Sequence, residues 1–224
     1  MNDHHPTRGN RRREQDPAYG LLQPKYSHYG YAVTISASTA QGSDCASALW
    51  YRGVAMLTEE FSQLSGARRS ELVALLAEAG GLKEEIVLLS DAADGSAICA
   101  VCNGACCRVG KYHVAPLDLL AFSAAGKPPV APDFATGACP FLGVAGCRIV
   151  PSDRPFICVV FCCELIEQRL SAADISRLVR MEAELRCLRE EMAARFGRRL
   201  VESMLLEMER TDRDGVPFLT INGG

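Results

Sequence analysis

Long apolar runs are missing from this chain of 224 residues: the longest ends at Cys163 and falls far short of the roughly 20 residues that a membrane-spanning helix needs. Charge of one sign is also scarce. With 24 Lys and Arg against 27 Asp and Glu, the formal net charge is −3, which makes nucleic acid an unlikely main partner and gives an anionic membrane nothing to hold. Catalytic signatures are absent as well. There is no nucleotide loop, no G-x-G-x-x-G, no G-x-S-x-G elbow and no His-Glu-x-x-His, so ordinary kinase, Rossmann and hydrolase chemistries have no foothold. No apolar stretch follows Arg11-Arg12-Arg13, so no cleavable secretory signal is expected, and a reducing, cytoplasmic setting is the expectation. A composition 48% hydrophobic and 23% charged excludes a wholly disordered chain and suffices for one sizeable core.

What the chain has in excess is cysteine. Nine of its eleven cysteines (Cys99, Cys102, Cys106, Cys107, Cys139, Cys147, Cys158, Cys162 and Cys163) fall between residues 99 and 163, while Cys45 and Cys187 are isolated, as ordinary core thiols are. Disulfides fit this poorly. The count is odd, no secretory signal is visible, and the adjacent pairs Cys106-Cys107 and Cys162-Cys163 would close strained loops. A redox dithiol needs one Cys-x-x-Cys at a helix start, not several clusters. Metal ligation accounts for the crowd better. Thiolates are soft ligands for zinc, iron and iron–sulfur clusters, and the two-residue spacer of Cys99-Ala-Val-Cys102 lets two sulfurs bend around one centre, with Asn103-Gly104 supplying a turn.

Four blocks in order carry a resemblance: Cys99-x2-Cys102-x3-Cys106-Cys107-Arg108, Cys139-Pro140-Phe141-Leu142, Gly146-Cys147-Arg148-Ile149 and Arg154-Pro155-Phe156-Ile157-Cys158. Together they resemble the YkgJ-type cysteine-cluster family, of CxxCxxCC type, described as a zinc- or iron-chelating domain. One residue more separates Cys102 from Cys106 than the family pattern has, and either Cys162 or Cys163 fills its last cysteine position. The resemblance implies a metal-binding protein holding zinc, iron or a 4Fe-4S cluster, in metal handling or in a redox or accessory role. It extends to flagellin lysine methylase, which implies an iron–sulfur enzyme as the alternative. A purely structural zinc module that displays its helices to a protein partner is the third reading.

The residues between the cysteines fit a ligand scaffold. Gly104, Gly110, Gly126, Gly137, Gly143 and Gly146 allow tight turns around an ion, and Pro128-Pro129 and Pro132 make an extended loop. Pro116 to Phe122 reads as a short helix with proline in its first turn. Residues 99–163 carry five Lys and Arg against three Asp, a balance of +2 that would offset thiolate charge. Arg108 and Arg154 lie closest to cysteines in sequence and are the candidate cofactor-binding side chains, donating to sulfur. Spacing does not decide the metal. Zinc favours two knuckles where one strict Cys-x2-Cys is present, and the uneven spacing leans towards iron. His113 is a conceivable ligand, although a surface or capping role is the simpler reading.

The remainder reads as a mainly α fold: a helical scaffold with a loop-rich, irregular cysteine-cluster metal-binding module inserted between helices. Residues 1–43, rich in Pro, Gly, Ser, Arg and His, are expected to form a flexible arm that Tyr26, Tyr29 and Tyr31 could dock. Residues 44–95 predict three helices. One starts near Asp44 and carries Leu49, Trp50, Val54, Leu57, Phe61 and Leu64; the second is broken by Gly80-Gly81; the third stops near Asp94-Gly95. The module spans 96–165. Ser171-Ala-Ala-Asp174 then caps a long helix or helix pair over 166–212, striped by Leu178, Leu185, Leu188, Met192, Phe196, Leu200, Met204 and Met208, with Gly197 as the point of bending or breaking. The methionines read as core, and Glu182–Arg186 and Glu191–Arg195 as i,i+4 pairs on the wet side. Residues 213–224 are expected to be a loose tail.

Overall fold

The structure, a computed structural model, describes residues 41–102, 107, 110–136, 139–144, 146–214 and 216–220. Of the expected N-terminal arm, residues 1–40 lie outside this set, including Arg11 to Arg13 and the three tyrosines, while residues 41–43 already belong to the first helix. That helix, α1, spans Gln41–Gln63, so Asp44 sits in its first turn instead of capping it. Trp50, Leu57 and Leu64 recur at helical spacing and are buried, as the sequence pattern predicts.

Helix α2 spans Gly66–Ala92, with the Ser65 hydroxyl accepting from the Arg68 backbone N–H at its start. It runs unbroken through Gly80-Gly81, which corrects the expectation of two separate helices. Each glycine costs a helix about 1 kcal/mol relative to alanine. Burial offsets that loss on both sides: Leu72, Leu76 and Ala79 before the pair, and Ile86 and Val87 after it, are buried on a helix that packs against the long helix Ala172–Phe196. Asp94 adopts φ +60°, and α3, Gly95–Cys102, follows directly. The Cys99–Cys102 spacer, expected as part of an irregular knuckle, is therefore helical.

Helix α4 spans Pro116–Ala124, with the expected proline at its start. Leu142–Gly143 (β1) and Gly146–Cys147 (β2) form a minimal antiparallel hairpin in which Leu142 faces Cys147. The short helices α5, Phe156–Val160, and α6, Glu164–Glu167, lead into α7, Ala172–Phe196. Ser171 caps α7, its hydroxyl accepting from the Asp174 N–H at 3.1 Å. Glu191 and Arg195 form the expected i,i+4 pair at 2.7 Å. Glu182 does not face water: it is 6% exposed.

The C-terminal stripe is divided at Gly197. This residue has φ +138°, and a Cβ there would strike the Phe218 carbonyl oxygen, so only glycine fits without strain. A 3-10 turn, Arg198–Val201, then leads to α8, Met204–Asp214. The segment after α8 is not loose throughout. Phe218 and Leu219 are each 1% exposed, Thr220 N–H donates to Phe196 O at 2.7 Å, and Leu219 N–H donates to Glu60 Oε2 at 2.8 Å. Arg68 adds a clasp, donating to Arg195 O and Thr220 O with its guanidinium 4.9 Å from the Phe196 ring centroid.

The described residues share one hydrophobic core, mainly helical as the periodicity predicts. The cysteine-rich stretch is built into that core. Phe141, Ile149, Phe156, Val159 and Val160 belong to the same cluster as Trp50, Leu57, Leu120 and Met204. Phe141, from the Cys139-Pro140-Phe141-Leu142 block, packs against the Trp50 ring at 5.6 Å between centroids.

Candidate metal centre

One short turn sets the geometry. Gly110–Tyr112 forms a 3-10 turn closed by His113 N–H donating to Gly110 O. A Cβ on Gly110 would lie 2.5 Å from both Cβ and Sγ of Cys139, so the missing side chain is what lets Cys139 pack on this turn. Three residues on, His113 points its Nδ1 at Cys158 Sγ, 3.3 Å away. Cys139, His113 and Cys158 are thereby gathered from three separate stretches of chain.

Cys147 joins from the hairpin. Leu142 N–H donates to Cys139 O, Arg148 N–H donates to Phe141 O, and the two-residue strands return the chain beside Cys139. The thiols are electrostatically coupled. Burial pushes the Cys158 thiol well up from its ordinary value, and the neighbouring Cys139, Cys147 and Asp118 push it further, while Arg154 pulls it down. Burial likewise raises Cys139, with Cys147 adding and Arg148 opposing. Burial also lowers His113, which favours its neutral imidazole. Raised in this way, the Cys139 and Cys158 thiols keep their protons at neutral pH.

A buried carboxylate fixes the two halves of this arrangement. Asp118 Oδ2 accepts from Ala115 N–H at 3.1 Å, and Oδ1 accepts from Phe156 N–H at 3.0 Å. Ala115 is two residues after His113 and Phe156 two residues before Cys158, so one side chain holds both backbones that present the pair. Lys83 from α2 neutralises it, with Nζ 2.9 Å from Oδ1, and both side chains are less than a tenth exposed. Leaving either charge without the other would be strongly unfavourable at this depth.

The remaining sequence candidates are placed differently. Cys99 is exposed on α3; Cys102 ends that helix, with its side chain outside the described residues. Cys106 and Arg108 also lie outside them. Cys107 is partly buried against the core. Cys162 and Cys163 form a second neighbourhood near α6. Cys162 is buried beside Ser90, and burial, with Glu167, Cys163 and Glu182, pushes its thiol up to about 12. Arg154, expected to donate to sulfur, donates through its Nε to the backbone Ile149 O at 3.3 Å, and its charge bears on Cys158. Arg148, not singled out from sequence, braces the hairpin by donating to Ala131 O and Pro140 O. Cys45 and Cys187, read as core thiols, are exposed.

Among the described residues no disulfide links the cysteines, and no group of three or more His, Cys, Asp or Glu side chains is placed so that it could hold a metal ion. His113 is the residue that sequence reasoning set aside. The signal was available, because it is the sole histidine after His28 and falls inside the cysteine-rich window. No protein-family model, curated protein or solved structure matches the chain.

Proposed function

We propose that this is a metal-binding protein whose cysteine-rich segment takes a thiophilic ion, zinc or iron, alone or as a cluster, in metal handling or a redox accessory role. The observation that carries the reading is the gathering of Cys139, Cys158 and His113 from three stretches of chain, with Cys147 returned beside them by the hairpin. The chemistry of the donors supports it: thiols and an imidazole, with Arg148 and Arg154 nearby to offset thiolate charge. The order of the cysteine blocks, with its resemblance to the YkgJ-type family, belongs to the same proposal. Bound there, the ion would supply Lewis acidity or an electron-transfer centre, and the protein's own part is to hold the thiols and shield them in an apolar wall.

The test is metal analysis of protein purified anaerobically, with its optical spectrum, for the wild type and two variants. Cys158→Ser is expected to lose most of the metal that depends on this site, and Cys187→Ser to retain wild-type content. Wild-type protein that stays metal-free after reduction and incubation with Zn(II), or with Fe(II) and sulfide, overturns the reading. Equal losses in the two variants do the same.

A further inference from the structure

We infer that a cavity between α2, α4, α5 and α7, lined by Lys83, Asp118 and Arg189, is a binding site for one small monovalent anion of halide size. The site makes no use of the thiols and does not rest on the metal-binding reading. The cavity measures about 20 Å³, and a space above roughly 10–15 Å³ holds one water-sized guest. Cavities that stay empty are apolar. Leu76, Leu117 and Met192 supply apolar wall here, but two cations and one carboxylate line the same space.

Donors on this wall outnumber the acceptors left to receive them. Asp118 is satisfied: its Oδ1 accepts from Lys83 Nζ and the Phe156 N–H, and its Oδ2 from the Ala115 N–H. Lys83 carries three ammonium hydrogens, and Asp118 is its one partner among the described residues. Arg189 donates from a terminal nitrogen to Val201 O, while its Nε is buried with no hydrogen-bond partner. A buried donor left unpaired is costly, so an acceptor is expected beside it. Ser152, also on the wall, donates its hydroxyl to Asp153, whose carboxylate does not line the cavity.

Charge selects the guest. Lys83 and Arg189 against Asp118 are two positive charges and one negative, a balance of +1 on the wall. On α7 no Asp or Glu stands three or four positions from Arg189, where Leu185, Arg186, Met192 and Ala193 sit. Instead the guanidinium groups of Arg186 and Arg189 lie 5.5 and 4.6 Å from the Phe156 ring centroid. A water would fill the space and answer the Arg189 Nε, yet leave the charge uncompensated; one anion does both. Arg189 is partly exposed, which gives the ion a way in from solvent.

The experiment uses the full chain, reduced and in excess chelator, so that no metal contributes. Thermal unfolding is followed by circular dichroism as sodium chloride replaces sodium gluconate at constant ionic strength. The melting temperature is expected to rise by a few degrees and to saturate in the millimolar range, with sodium bromide acting in the same way. Arg189→Gln is expected to weaken the apparent chloride affinity by about tenfold or more. Arg198→Gln, which removes a surface guanidinium paired with Glu190, is expected to leave it unchanged. Because Arg189→Gln also loses its contact with Phe156, wild-type crystals soaked in bromide give an independent readout, an anomalous scattering peak beside Lys83 and Arg189. A melting temperature indifferent to the anion present, or a bromide-soaked cavity that holds only water, overturns the site. An unchanged chloride response in Arg189→Gln does the same. So does a peak at molar bromide without the saturable rise in solution, which is an adventitious ion only.

Discussion

Single side chains in this molecule are placed by what surrounds them as much as by their own chemistry. Glu60 illustrates this away from the cysteine-rich segment. It is 9% exposed, and one of its oxygens accepts the Leu219 N–H, pinning the C-terminal segment to α1. Burial raises its pKa from the ordinary 4.5, and the hydrogen bonds from Leu219 and Phe218 and the charge of Arg199 only partly oppose that. The folded state therefore holds this proton more tightly than the unfolded chain. The contribution of Glu60 to stability is fully present below the ordinary value and is lost as pH rises through the raised one. Glu60→Gln removes the titration. The melting temperature of wild type relative to Glu60→Gln is thus expected to fall as pH is raised from about 4 towards neutrality. Thermal denaturation of both proteins across that range checks it, and a difference that rises with pH would refute the assignment. None of this was legible in the sequence, because Glu60 is one of several acidic residues on α1 and its partner is 159 positions away.

The elements show which signals in a sequence are local. Caps, proline at a helix start and apolar periodicity act within a few residues. Accordingly Ser171, Pro116 and the stripe of Trp50, Leu57 and Leu64 were readable in advance. Glycine is not local in the same sense. Gly80-Gly81 reads as a break and is not one, since packing on both sides outweighs its propensity. Gly197 does interrupt the stripe, and the reason lies in another segment, the Phe218 carbonyl that a Cβ would strike. A substitution separates the two cases. Gly80→Ala places its methyl 3.8 Å from Ser152 O, an ordinary contact, and is expected to be neutral or to raise stability by up to about 1 kcal/mol. Gly197→Ala meets both a forbidden φ and a collision, and is expected to cost about 2 kcal/mol or more, read as a drop of several degrees in melting temperature. A tolerant Gly197→Ala would mean that the junction between α7 and α8 is adjustable. The same distinction governed the site: cysteine spacing along the chain was visible, but the approach of Gly110 to Cys139 and of His113 to Cys158 joins segments 29 and 45 residues apart.

At the scale of the whole molecule, the sequence suggests a loop-rich insert with little to bury, and such a segment would depend on its metal for folding. The structure gives it a core. Phe141 packs against Trp50, while Phe156, Val159 and Val160 join the helices' apolar cluster, and the Lys83–Asp118 pair ties the insert to α2 from within. Burying three or four such side chains is worth roughly 1.5–3 kcal/mol each, comparable to a large part of a domain's net stability. The insert and the scaffold are therefore expected to melt as one unit, and the proposed ion would stabilise that unit by mass action in place of creating it. Chelation under reducing conditions is expected to leave helical circular dichroism nearly unchanged at 25 °C while lowering a single, still cooperative transition. Asp118→Asn, which weakens the tie without touching a proposed ligand, is expected to lower the same transition in both the loaded and stripped protein. Loss of most helicity on chelation would show that the apolar contacts of Phe141 and Phe156 do not suffice, and two separate transitions would show that insert and scaffold fold apart.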